Sequence, residues 1–120
     1  MKDAKALLGD AIAALGRRFL LRTQSDIAEL QALLATLSAG GSTALESLRE
    51  LAHRIRGGGA TFGFPAIGEC AAELEQRCDE LEHRGTLFGS NHSVAVHELE
   101  ERIQRLVRAL EDTYRRHFPG

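Results

Sequence analysis

His53 is the residue around which chemistry is expected to gather. It stands in the run Leu51-Ala52-His53-Arg54-Ile55-Arg56-Gly57-Gly58-Gly59-Ala60-Thr61-Phe62-Gly63-Phe64-Pro65, with Arg49 one turn upstream. Wound as a helix at about 100° per residue, the segment places Leu45, Leu48, Leu51, Ala52, Ile55, Gly59 and Phe62 inside one arc about 120° wide. That arc is the face to bury. His53 falls about 140° from its centre, so the imidazole faces solvent. Arg49 and Glu50 lie one turn before it, and Arg56, Gly57 and Ala60 one to two turns after.

Three consecutive glycines inside a helix cost about 1 kcal/mol each relative to alanine. A left-handed stop at Gly57 would avoid that cost. The apolar period nevertheless continues through Gly59 to Phe62, and Gly63 followed by Pro65 makes a better stop. In a continuous helix Gly59 faces inward, where it permits close approach of a second helix. Gly57 then clears the face beside the imidazole. A solvent-facing histidine with a cleared flank and cationic neighbours suits docking and phosphate chemistry better than packing.

The elements that must position this residue are all helical. From Asp3 to about Leu37, the residues Ile12, Leu15, Phe19, Thr23, Ile27, Leu30, Leu34 and Leu37 recur at three- and four-residue steps. Gly9 and Gly16 weaken the early part and Thr23 to Ser25 marks a bend, so a short first helix and then a long one, ending before Ser38, are expected. The run Ser38 to Ser42 reads as a turn, with Ser42 or Thr43 capping the histidine helix. Pro65 occupies a first-turn position, and Ile67, Cys70, Ala71, Leu74, Cys78 and Leu81 follow on one face. Arg84 to Asn91 reads as a loop. Ser90, Asn91 or Ser93 would cap a last helix built on Val96, Leu99, Ile103, Leu106 and Leu110, with Phe118 as a tether for the tail. Its glutamates come early and its arginines late, as the helix dipole favours. The fold class is therefore all-α: an up-down antiparallel four-helix bundle with a short additional N-terminal helix, as a single domain over residues 1–120.

Composition narrows the function. In 120 residues, 15 basic and 17 acidic side chains leave a net charge of −2, which argues against a general nucleic-acid binder. No apolar run reaches the length of a membrane span. Lys2, Asp3, Lys5 and Asp10 interrupt any signal-peptide core, so a cytoplasmic location is expected. Cys70 and Cys78 sit about 12 Å apart along one helix, beyond the reach of a disulfide, and read as buried thiols in a reducing compartment. His83, His92, His97 and His117 show no zinc spacing, and without strands the glycine run is not a nucleotide loop. No metal and no cofactor are expected on this chain.

The run His53-Arg54-Ile55-Arg56-Gly57, followed by Gly63, Ile67, Cys70 and the pair Leu74-Glu75, resembles the signature of histidine-containing phosphotransfer (HPt) domains. That pattern is H-x-L-K-G, a glycine six residues later, a leucine four after that, then a small or cysteine position and L-E. The departures are Ile55 for leucine, Arg56 for lysine and Ile67 for leucine. Arg18-Phe19-Leu20 and Asp26-Ile27-x-x-Leu30 are similar to the family's first long helix, so the resemblance covers roughly residues 15 to 80.

The resemblance implies a phosphorelay carrier of two-component signalling without kinase activity of its own. His53 would accept a phosphoryl group from a receiver-domain aspartate of a hybrid histidine kinase and pass it to a response regulator. Histidine suits this because its unperturbed pKa of about 6.5 leaves a nucleophilic nitrogen at pH 7. Arg56 would place a cation by the phosphoryl group, and Glu75 would hold the ring nitrogen that is not phosphorylated. Arg49, Gly57 and Ala60 would form the phosphate environment and docking surface. Magnesium is expected on the partner receiver, and the chain is expected to be a monomer that binds neither nucleic acid nor membrane. Two other readings remain. One is the dimerisation and phosphoacceptor module of a histidine kinase, whose His-Glu-x-x-x-Pro character is absent here. The other is a helical adaptor in which His53 is incidental.

Overall fold

Each apolar spine in the sequence takes up a helix. A computed structural model describes residues 3–41, 43–84 and 92–118. It contains α1 (Ala4–Ser38), α2 (Ala44–Phe62), α3 (Pro65–Arg84) and α4 (His92–His117), with no strand among the described residues. Each helix packs on its neighbours in the chain and α1 closes the ring against α4, while the diagonal pairs do not approach. Short connections, residues 39–43 and then Gly63-Phe64, make the first three helices antiparallel neighbours. Three large side chains from each helix lie at 2% exposure or less: Leu20, Leu30 and Leu37, then Leu45, Leu48 and Ile55, then Ile67, Leu74 and Leu81, then Leu99, Ile103 and Leu106. The all-α bundle expected from the sequence is the fold observed.

The N-terminal part differs from expectation. There is no short additional helix, because α1 runs unbroken for 35 residues. Asp3 caps it, its Oδ1 accepting from the Ala6 N–H at 2.8 Å. Thr23 produces no bend, since its hydroxyl donates to the Phe19 carbonyl one turn back at 2.8 Å and the residue is fully buried. At Gly16 the Phe64 ring packs against the helix, within van der Waals reach of where a Cβ would stand, so tertiary contact offsets the weak local propensity. Core burial on α1 starts at Gly16. Ile12 and Leu15 continue the helical period but remain exposed, as are all residues from 4 to 15.

The helix ends around the site follow local chemistry. Gly63 adopts the left-handed conformation (φ 76°, ψ 35°) and its N–H donates to the Gly59 carbonyl, ending α2. Pro65 begins α3. Thr43 stands at the N-cap of α2 but makes no side-chain capping bond, and Ser42 lies outside the described residues. Ser93 lies within α4 rather than capping it, while Ser90, Asn91 and the loop between Arg84 and His92 also fall outside them. Phe118 does tether the tail, with its ring 5.3 Å from Tyr114 and 4.9 Å from the Arg17 guanidinium.

The three glycines of α2 serve three different purposes. A Cβ at Gly59 would sit 2.7 Å from the backbone nitrogen and 2.8 Å from the Cα of Gly68, so α2 and α3 meet backbone to backbone. A Cβ at Gly58 would overlap the Phe19 ring lying across it. Gly57 has nothing within 4 Å of that position. Gly57→Ala is therefore expected to stabilise the protein by about 0.5–1 kcal/mol through helix propensity alone. Gly59→Ala is expected to destabilise it by about 1–3 kcal/mol, because neither backbone can retreat from the other. Urea midpoints of the two variants check this, and shifts of the same sign would contradict the assignment.

Candidate functional site

Helix α2 carries His53 on its outer side, and the side chain is 68% exposed. The inner stripe of Leu45, Leu48, Leu51, Ala52, Ile55 and Gly59 is buried and Phe62 half-buried, as the period requires. Because α2 and α3 are antiparallel and approach closely at Gly59 and Gly68, residues about two turns beyond Gly68 on α3 face the histidine. Glu75 is the one that reaches it. Its neighbour Leu74 points into the core, and Glu75 itself is buried at the core's edge.

The Glu75 carboxylate is shared. Its Oε2 lies 2.7 Å from His53 Nδ1, and its Oε1 accepts from Arg56 Nη1 at 3.0 Å. An ionised carboxylate only accepts, so Nδ1 of the neutral ring carries the proton and Nε2 keeps its lone pair. Burial pushes the Glu75 carboxyl up. The hydrogen bonds from Arg56 and His53, together with their charges, outweigh burial and hold it below its ordinary value.

The remaining arginines of α2 are drawn elsewhere. Arg49 pairs with Glu82 at 3.4 Å and Asp79 at 3.8 Å, further along α3 than Glu75. Arg54 turns to α1, where its Nη2 donates to the buried Asp26 at 2.9 Å. Of the residues singled out in the sequence, the structure thus brings His53, Glu75 and Arg56 into one hydrogen-bonded group. Gly57 and Ala60 lie exposed beside the ring's helix face, and a Cβ placed on Gly68 of α3 would lie 3.6 Å from the Ala60 nitrogen and the Arg56 carbonyl oxygen. Small residues therefore floor the approach to His53 on that side.

Three contributors were not read from the sequence: Asp26, Phe19 and Gly68. Asp26 carried a usable signal, an acid one residue from the apolar spine of α1, which must find a cation when buried. Phe19 stood on the apolar spine of α1 with nothing to say that it would cover Gly58, and Gly68 carried no signal, because the purpose of each is set by the facing helix. A groove of about 520 Å³ between α1 and α4, lined by Ile27, Val107, Leu110 and Tyr114, lies across the bundle from His53 and holds no part of this group. Among the described residues no cluster of His, Cys, Asp and Glu is placed to hold a metal, and no helix is long and apolar enough to cross a membrane. Burial pushes the Cys78 thiol up to about 12, which keeps it protonated and unreactive.

Comparison with known families matches residues 14–113 to the model described as the Hpt domain. No curated protein and no solved structure matches the chain.

The Glu75 arrangement predicts a pH dependence of stability. A carboxyl held below its ordinary value of 4.5 stabilises the folded state in full above that value and loses the contribution as pH falls through the folded-state value. The stability difference between wild type and Glu75→Gln should therefore be largest near neutrality and narrow towards about pH 3. Denaturant midpoints measured across that range check it. A constant difference would mean that Glu75 is not an ionised clamp.

Proposed function

The chain belongs to the Hpt domain family, and from that premise we propose that His53 is the phosphoacceptor through which it passes a phosphoryl group between receiver-domain aspartates. The family carries phosphoryl groups in two-component signalling, works with receiver domains, and consists of phosphocarriers rather than enzymes. The observation that supports the assignment to His53 is the 2.7 Å contact between Nδ1 and Glu75. It leaves Nε2, on an exposed ring, as the nucleophile.

In the proposed transfer the Nε2 lone pair attacks the phosphorus of an aspartyl phosphate in line. The phosphorus–nitrogen bond forms as the bond to the aspartate oxygen breaks, and the carboxylate leaves with that electron pair. The imidazole then carries a positive charge, which the Glu75 carboxylate already faces; stabilisation is thus in place before the charge develops. Onward transfer is the same displacement in reverse, with the second receiver's aspartate as the nucleophile. Gly57 and Ala60 leave the approach uncrowded. The magnesium ion such chemistry uses belongs to the receiver, and this chain contributes no kinase activity.

The receivers are those of a hybrid histidine kinase and a response regulator in this reading, and the carrier is a cytoplasmic monomer folded as one domain. The closed ring of four helices supports the monomer, because from Gly16 onward the four helices build one core within a single chain. A kinase dimerisation module would need a second hairpin to do so. A helical adaptor with an incidental histidine would have no use for the Glu75 contact.

His53→Gln is expected to abolish phosphoryl acceptance from a phosphorylated receiver, read as loss of the mass increment, while stability shifts by less than about 0.5 kcal/mol. Unfolding of that variant would show that His53 is structural. Gly57→Leu is expected to keep or raise helix content and to block transfer by filling the cleared flank. Transfer rates equal to wild type would reduce Gly57 to a packing position.

A further inference from the structure

We infer that Arg56 is a positioning residue that acts through Glu75, fixing the carboxylate against Nδ1 of His53 so that Nε2 is the nitrogen presented for transfer. The purpose of this arrangement rests on the phosphoacceptor reading above; the arrangement itself does not.

Glu75 has two carboxylate oxygens and each has one partner, Oε2 with His53 and Oε1 with Arg56. The Glu75 side chain is 11% exposed, whereas those of His53 and Arg56 are 68% and 56% exposed. The buried carboxylate is therefore the fixed point, and the exposed imidazole depends on it for orientation. A glutamate held at one oxygen can still turn about its last torsion, whose energy wells are broad. Turning would carry Oε2 off Nδ1 and free the ring to rotate or change tautomer. The planar guanidinium pins the second oxygen and removes that freedom. It also supplies the cation that keeps a nearly buried carboxyl ionised, so that it accepts from Nδ1 rather than donating to it.

The surroundings leave this task to Arg56. Arg49 is engaged by Asp79 and Glu82, and Arg54 by Asp26. Among the described residues, Arg56 is the arginine that pairs with Glu75, beside the imidazole of His53. An Arg56 that left for the phosphoryl oxygens would abandon a buried acceptor at the moment the ring becomes charged, which is when the carboxylate is most needed.

The experiment compares wild type, Arg56→Ala, Arg56→Lys and Arg56→Gln in two measurements. One is the tautomer of the neutral His53 ring by ¹⁵N NMR on the unphosphorylated chain. The other is the rate of acceptance from a phosphorylated receiver. Wild type should show the Nδ1–H tautomer. Arg56→Ala should shift the ring toward a mixture and slow acceptance by about tenfold to a hundredfold, the scale of a misplaced reacting group. Arg56→Lys should recover part of both, since one N–H can still reach Oε1. An unchanged tautomer in Arg56→Ala overturns the inference, whether acceptance is unchanged or phosphohistidine lifetime is shortened, the latter being the mark of a guanidinium on the phosphoryl group. Should Arg56→Ala not fold, Arg56→Gln decides by the same tautomer measurement, because it keeps a donor without the charge. Wild type that accepts no phosphoryl group would sink the phosphoacceptor reading, and the tautomer comparison would still decide the role of Arg56.

Discussion

At Gly59 and Gly68, α2 and α3 touch backbone to backbone, at a distance that leaves no room for a Cβ on the first of them. The rest of the site depends on that approach. Helix axes normally stand about 8–10 Å apart, with side chains between them; here two glycines remove the spacer. Glu75 lies two turns along α3 from Gly68, and His53 a turn and a half back along α2 from Gly59, so an antiparallel pair sets them opposite each other. A glutamate side chain is then long enough to reach the outer edge of α2 while its stem remains at the rim of the core.

The same crossing explains the aromatic cluster at that end of the bundle. Phe19 lies across Gly58, 5.5 Å from Phe62, and stacks at 9° and 6.0 Å on Phe64, whose ring meets His117 edge-on at 5.2 Å. These rings join α1, the α2–α3 turn and α4 around the last turn of α2. Gly58 admits the first ring, and the third packs against Gly16. The propensity lost at four glycines in α1, α2 and α3 is thus offset by close packing, with contacts of about 0.5–1.5 kcal/mol for each aromatic pair beyond its buried area.

Electrostatics around His53 is local. The protein's net charge is −2, and each of the three arginines flanking the histidine is matched by a carboxylate from a neighbouring helix. The buried members of these pairs, Asp26 and Glu75, decide where the exposed arginines point, because a buried carboxylate without a cation or donor is costly. Arg54 consequently ties α2 to α1, Arg49 and Arg56 tie it to α3, and the solvent-facing surface between them is left to His53 and small residues. On the far side, Arg77 joins Glu80 on its own helix and Glu98 of α4 in the same manner.

What the sequence by itself determined is what depends on neighbours along the chain. The period of α2 requires that Leu45 to Phe62 be buried and His53 exposed, a left-handed Gly63 and a first-turn Pro65 end one helix and begin the next, and the absence of alternating strands leaves an all-α bundle. What the tertiary structure decided is which distant groups meet. Gly9, Gly16 and Thr23 locally favour an interruption of α1, yet the helix continues, because the Phe64 ring packs against Gly16 and Thr23 bonds to the turn before it. Arg49 and Arg56 are equivalent by charge and each lies one turn from His53, and nothing in their spacing separates the one that joins Glu75 from the one that goes to Asp79 and Glu82. That choice is made across helices, by the depth at which each carboxylate is buried and the side from which it arrives.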